Sequence, residues 1–267
     1  MISPATTQAE CDALLDSVAQ ARAAADHVGR IKALRACIEH PCAAHEFDLA
    51  DLFSELATCY RSIGRYAEAI SAWEEAIAAG YRSVPHPRAE IAALLLAAGR
   101  RSDADGLFAD LREECTKDVW LYNSAGASYA ECGDHTEALR WLDDGIHLAL
   151  DTGDPEEILD QLIHLRRTSL QALNRDPNDE LDQQVAAFTR PPGPRRTITD
   201  YYGGGQPAAQ QCAHCGWRPD HEPSRSLLAD STTTNAGDRT HNPVSRSGQC
   251  PCGSGRKYKR CHGSRRR

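Results

Sequence analysis

Residues 129–142 read Tyr129-Ala-Glu-Cys-Gly133-Asp-His-Thr-Glu-Ala138-Leu-Arg-Trp-Leu142, and their pattern recurs twice upstream. Gly64, Gly99 and Gly133 are spaced 35 and 34 residues apart. Four residues before each glycine stand Tyr60, Leu95 and Tyr129, and five after it stand Ala69, Ala104 and Ala138. Four positions further on come Trp73, Phe108 and Leu142. Residues 134–142 have the 3.6-residue apolar period of an amphipathic helix. A glycine ahead of such a helix ends the preceding one and accepts the positive φ of the reversal. Alanines at the crossing let two helices approach, and large side chains interlock them. Self-similarity at this period predicts stacked helical hairpins.

The pattern resembles the tetratricopeptide repeat, and the resemblance implies an all-α, tetratricopeptide-like helical solenoid. Its repeats run over 50–83, 85–118 and 119–152. The second departs from the family pattern at Ile91-Ala92 and Arg101, and the third has Gly145 where alanine is usual. Alanine-rich residues 8–38, with Leu14, Leu15, Val18, Ala21 and Ile31, read as an N-terminal helix pair within 1–49. Residues 155–173 read as a capping helix that starts at Pro155 behind Asp154, inside a capping segment 153–190. In such solenoids the first helix of each repeat lines a groove for peptides or partner helices. Here that face would include Arg61, Trp120, Asn123 and Glu131. They do not form the lysine/asparagine pattern that clamps a terminal carboxylate. Trp120 fits packing between repeats as well as recognition.

From Pro191 the composition changes to Pro-Pro-Gly-Pro-Arg-Arg, Tyr-Tyr-Gly-Gly-Gly and a Ser/Thr/Asn-rich run, so 191–245 reads as a flexible linker. Inside it, Cys212-Ala-His-Cys215-Gly has the C-x2-C-G form of a zinc knuckle. His221 and His241 are the nearest further donors, without a signature spacing, so a second zinc and an incidental or redox pair both stay open. A thioredoxin-type role lacks its β-α-β context. Cys37-x2-His40-Pro-Cys42-x2-His45 could chelate a metal, but Pro41 breaks the helix there and ordinary packing is the expectation.

The C-terminal module, 246–267, contains Cys250-Pro-Cys252-Gly-Ser-Gly-Arg-Lys-Tyr-Lys-Arg-Cys261-His262. Two claws of donors, Cys250/Cys252 and Cys261/His262, supply the four tetrahedral ligands of a closed structural zinc site. So short a segment has almost no core, so metal binding would provide its folding energy, roughly 10–16 kcal/mol in small zinc modules. Residues 250–263 resemble the SEC-C motif, found at the C-terminus of the preprotein translocase ATPase and as an appendage on many small bacterial proteins. The resemblance implies zinc and a docking role, with an export chaperone, lipid or the ribosome among the family's partners.

Charge is divided unevenly. From Arg239 to the end there are nine Lys/Arg and no Asp or Glu, in a chain whose net charge is −8. Arg256, Lys257, Lys259 and Arg260 would meet an anionic partner, or the tail would fold back on its acidic body. No run of apolar residues is long enough for a membrane span, and the N-terminus has no secretory pattern. Six cysteines scattered through helical sequence (Cys11, Cys37, Cys42, Cys59, Cys115, Cys132) read as small buried hydrophobes, and with zinc thiolates they suit a reducing cytoplasm. No catalytic constellation is legible, so the expectation is a non-enzymatic cytoplasmic adaptor. Its repeats would bind a protein or peptide and its zinc tail would dock a second partner in export, chaperoning or at the ribosome. The alternative is a nucleic-acid-binding protein that uses the basic tail.

Overall fold

The computed structural model describes residues 4–177 and 179–191. The linker, Cys212 and Cys215, the four zinc donors and the basic tail lie outside the described residues. Among those described, the chain forms eleven helices and no strand. They are α1 (Pro4–Ala23), α2 (His27–Glu39), α3 (Ala43–Glu46), α4 (Leu49–Ser62), α5 (Tyr66–Ala78), α6 (Arg88–Ala97), α7 (Arg101–Glu114), α8 (Val119–Glu131), α9 (His135–Thr152), α10 (Leu159–Ala172) and α11 (Glu180–Ala187). No helix is long and apolar enough to cross a membrane.

Consecutive helices pair as hairpins: α1 with α2, α4 with α5, α6 with α7, and α8 with α9. The second helix of a hairpin packs on the first helix of the next, α2 on α4 and α5 on α6, while α6 also packs on α8. The arrangement is an all-α, tetratricopeptide-like stack with one continuous core running from Cys11 to Leu181. Gly64, Gly99 and Gly133 turn the middle hairpins with φ of 74°, 76° and 80°. Aspartates stop the orphan N–H groups at several helix starts. Asp48 accepts from Ala50 N and Asp51 N, Asp118 from Leu121 N, and Asp134 from Glu137 N.

The fourth hairpin, α8/α9, packs closely at two glycines. A Cβ added at Gly126 would lie 2.5 Å from Leu142 Cγ, and one at Gly145 would lie 2.8 Å from Tyr122 Cβ. Glycine at 145, a departure from the repeat pattern, is thus what lets α9 lie against α8 and α10. Arg101, the other departure, stands where an aromatic is usual, and its guanidinium lies 5.3 Å over the Tyr129 ring.

Two sequence expectations are corrected. The capping helix does not start at Pro155 but at Leu159. Asp154, wholly buried with φ of 49°, accepts from Ile158 N (2.9 Å) and Leu159 N (3.3 Å) and pairs with Arg190. Its side chain organises a turn through Pro155, and the helix waits until that turn is closed. The cysteines also divide: Cys11, Cys37, Cys42 and Cys59 are buried, Cys115 is intermediate and Cys132 is exposed. Cys132 caps α8 just before Gly133, where the chain leaves the core to reverse.

The first hairpin is tied on by Glu55 of α4. Its side chain is 6% exposed and accepts from Arg22 (2.7 and 2.9 Å) and from Arg30 Nε (2.5 Å). Two guanidiniums around one buried carboxylate satisfy its acceptors and offset the cost of its burial.

Candidate functional site

Arg61 lies in the last turn of α4, with its side chain 43% exposed. Its Nη1 stands 3.3 Å from Glu90 Oε2 of α6, and its Nη2 stands 3.6 Å from Glu131 Oε2 of α8. One residue therefore touches the first helices of the two hairpins that follow its own. α6 carries alanine at 89, 93 and 97, four apart and so on one side of the helix. Short side chains there let a residue of α4 reach one of α8. Burial pushes the Glu90 carboxyl above the ordinary range, while Arg61 pulls it down and Glu131 pushes it further up. One cation between two carboxylates leaves the spot acidic. The Arg61 pairs are too exposed to add much stability, so the cluster marks a shared face of α4, α6 and α8.

The other two groove residues lie further back on α8. Trp120, Asn123 and Glu131 fall on one side of that helix, Asn123 one turn after Trp120 and about 12 Å of helix rise before Glu131. Trp120 is half-buried and packs against the core. Asn123 is only 7% exposed, and its buried Oδ1 finds no hydrogen-bond partner among the described residues. An unpaired buried acceptor of this kind costs about 1–3 kcal/mol. The structure thus brings Arg61 and Glu131 together, and sets Asn123 apart as an unsatisfied acceptor on the same helix as Glu131.

Glu90 was missed from sequence, although a signal existed. It stands nine residues before Gly99, as Glu55 stands nine before Gly64, so the two glutamates hold equivalent places in successive hairpins. Both receive an arginine from the hairpin before.

The Cys37–His45 cluster is packing. Cys37 and Cys42 are fully buried and His45 is 4% exposed. His40 Nδ1 accepts from Cys42 N at 3.2 Å and lies 3.8 Å from Cys11 Sγ. Burial raises the Cys37 thiol to about 11 and pushes His45 below the usual imidazole range, so thiol and ring are held uncharged. Among the described residues no group of three or more His, Cys, Asp or Glu side chains is placed to hold a metal ion.

Comparison with known proteins adds one motif and one fold likeness. Residues 246–264 match the model of the SEC-C motif. No curated protein matches the chain. Among solved structures, the chain is similar to the crystal structure of MamA protein at 15% identity, over 69% of this chain and 98% of that one, with a TM-score of 0.41.

Proposed function

We infer that the protein is a non-enzymatic interaction adaptor of tetratricopeptide type, with a zinc-stabilised SEC-C tail. The observation that carries this reading is the exposed cluster of Arg61, Glu90 and Glu131, to which three successive hairpins contribute. Asn123, on the same side of α8 as Glu131, has a buried Oδ1 that finds no hydrogen-bond partner among the described residues. Arg61, Glu90 and Glu131 give the same side of the stack a charged rim. Stacked helical hairpins offer such faces to extended peptides or partner helices.

The tail would supply the second contact. Cys250, Cys252, Cys261 and His262 would hold zinc in a closed tetrahedral set, with Arg256, Lys257, Lys259 and Arg260 presented to a second protein, a ribosome or another anionic partner. Cys212 and Cys215 would contribute to a second zinc site. Two binding modules on one chain raise the effective concentration of each partner for the other. A cytoplasmic setting in a bacterium suits the zinc thiolates and the family of the motif.

Cross-linked capture from cell extract tests this, with nuclease-treated samples throughout. Full-length protein is compared with Cys252→Ser/Cys261→Ser and with Asn123→Ala/Glu131→Lys. The adaptor reading expects one set of protein partners lost with the zinc variant and a different set lost with the face variant. Partners lost only on nuclease treatment would favour the nucleic-acid reading. Retention of every partner by both variants would overturn the adaptor.

A further inference from the structure

In the fourth hairpin, α8/α9, a cation is seated in the groove over the first helix, beside about 380 Å³ that stays open next to Arg101, Glu137 and Trp141. Arg112 of α7 places its guanidinium 5.6 Å from the Tyr122 ring and 5.0 Å from the Trp141 ring, and pairs with Asp144. A cation over aromatic faces, held by a carboxylate, is a favourable seat in a partly dry groove.

Counting back 69 residues, the separation of Gly133 from Gly64, places the same positions in the first repeat. Tyr122 becomes Phe53, Trp141 becomes Ala72, Arg140 becomes Ser71 and Asp144 becomes Glu75. The aromatic floor and the carboxylate are kept, and the bulky tryptophan and the neighbouring arginine are replaced by short side chains. The corresponding groove, mostly apolar and of about 430 Å³, lies between α2 and α5 with α4 as its floor. Ile38, Phe53, Leu56 and Tyr60 line the bottom, and Glu39, Glu68 and Glu75 stand on the rim. The local arginines are engaged at the edges: Arg35 pairs with Glu39 of its own helix at 3.6 Å, and Arg65 pairs with Glu68 and lies 5.0 Å over Tyr60. Phe53 and Glu75 thus repeat one of the two rings and the carboxylate that seat Arg112, with Ala72 in place of the second ring.

We propose that this groove binds an arginine-bearing amphipathic helix of a partner protein, its guanidinium over Phe53 against Glu75 and an aliphatic side chain against Ile38 and Leu56. Glu75, which pairs with neither groove arginine, selects a cationic segment, and the apolar floor selects one with a hydrophobic face. The site uses none of the residues of the α4/α6/α8 face, so it stands or falls independently of the adaptor reading.

The test uses the full-length protein and a labelled helical peptide of about 14 residues with leucines at i, i+4 and i+7. Arginine, lysine and glutamate versions of its flanking positions are compared by fluorescence anisotropy. The arginine peptide should bind about tenfold more tightly than the glutamate one, with lysine between, because guanidinium stacks on an aromatic face better than ammonium. Glu75→Lys, at an exposed position, should weaken the arginine peptide by about tenfold. Equal binding of the arginine and glutamate peptides, or no binding at about 100 µM, would overturn the proposal. Unchanged affinity in Glu75→Lys would do so too, since it would mean general attraction to an acidic chain. A dimer of the protein alone that Glu75→Lys dissociates would make a second copy the occupant and likewise overturn it.

Discussion

Arg22 holds Glu55 from three residues ahead of the turn at Ala25, just as Arg61 holds Glu90 from three residues ahead of the turn at Gly64. Ala25 and Gly64 both have positive φ, 52° and 74°. The first hairpin therefore docks on the second through the same contact by which the second docks on the third. The environments differ: Glu55 is enclosed by two arginines, whereas Glu90 shares one exposed arginine with Glu131. The first contact holds the stack together, and the second leaves charge on an open face.

Removing the enclosed carboxylate should therefore be costly. Glu55→Ala strands Arg22 and Arg30 beside the core and should destabilise the protein by about 3 kcal/mol in urea unfolding. Arg61→Ala, at the exposed counterpart, should cost under about 1 kcal/mol. Equal losses would mean that the two contacts do the same job.

Glycine replacements should change stability in opposite directions. Gly126→Ala drives a methyl to within 2.5 Å of the Leu142 side chain and should cost about 1–3 kcal/mol. Gly106→Ala, exposed within α7 with nothing inside 4 Å, should stabilise by roughly 0.5–1 kcal/mol by restricting the unfolded chain. Thermal unfolding of both variants reads the two signs.

Asp118 should give the fold an unusual response to pH. Burial raises its carboxyl from 3.8 to about 6, against the pull of the N–H groups of His86, Leu121 and Trp120, and Glu156 pushes the same way as burial. The folded state then holds a proton that the unfolded state has released between these values. This contribution is present at low pH and is lost as pH rises through about 6. His86, lowered by burial, opposes it by resisting protonation in the fold. Asp118→Asn keeps an acceptor at the start of α8 and removes the titration. The stability difference between variant and parent should move in the variant's favour by about 2 kcal/mol from pH 4.5 to pH 7.5. A constant difference would show that Asp118 titrates normally.

Asn123→Ala and Glu131→Lys should separate stability from binding. In Asn123→Ala, loss of an unpaired buried acceptor removes a penalty that offsets the small cavity, so the unfolding free energy should change by less than about 1 kcal/mol. Capture of the groove partner should fall with Glu131→Lys, whose carboxylate is exposed, and not with Asn123→Ala. A large stability loss would show that Asn123 serves the core instead.

Zinc should not belong to the helical body. Cys252→Ser/Cys261→Ser should lower bound zinc by about one ion per chain while the thermal transition of the helices stays in place. A shifted transition would make the tail part of the body's stability.

Much of this protein can be read directly from its residues. The glycines at 64, 99 and 133, with alanine and a large side chain at fixed distances after them, specify helical hairpins, because reversal and close crossing each demand a residue type at one position. The cysteine–histidine spacing at the end marks the SEC-C motif matched at 246–264, because donors that would hold one ion must converge, and convergence restricts spacing. The first hairpin was harder to place, since alanine at 25 takes the backbone conformation that glycine takes elsewhere, and its equivalence to the repeats appears only through Arg22 and Glu55. Pro155 looked like a helix start until Asp154 was seen to spend its carboxylate on Ile158 and Leu159. The meeting of Arg61, Glu90 and Glu131, the lone Oδ1 of Asn123 and the open seat above Phe53 were decided by tertiary structure alone. Local periodicity states which face of a helix is buried. Which side chains from different hairpins meet, and which are left without a partner, depends on the offset between hairpins, and that offset is set by packing across the whole stack.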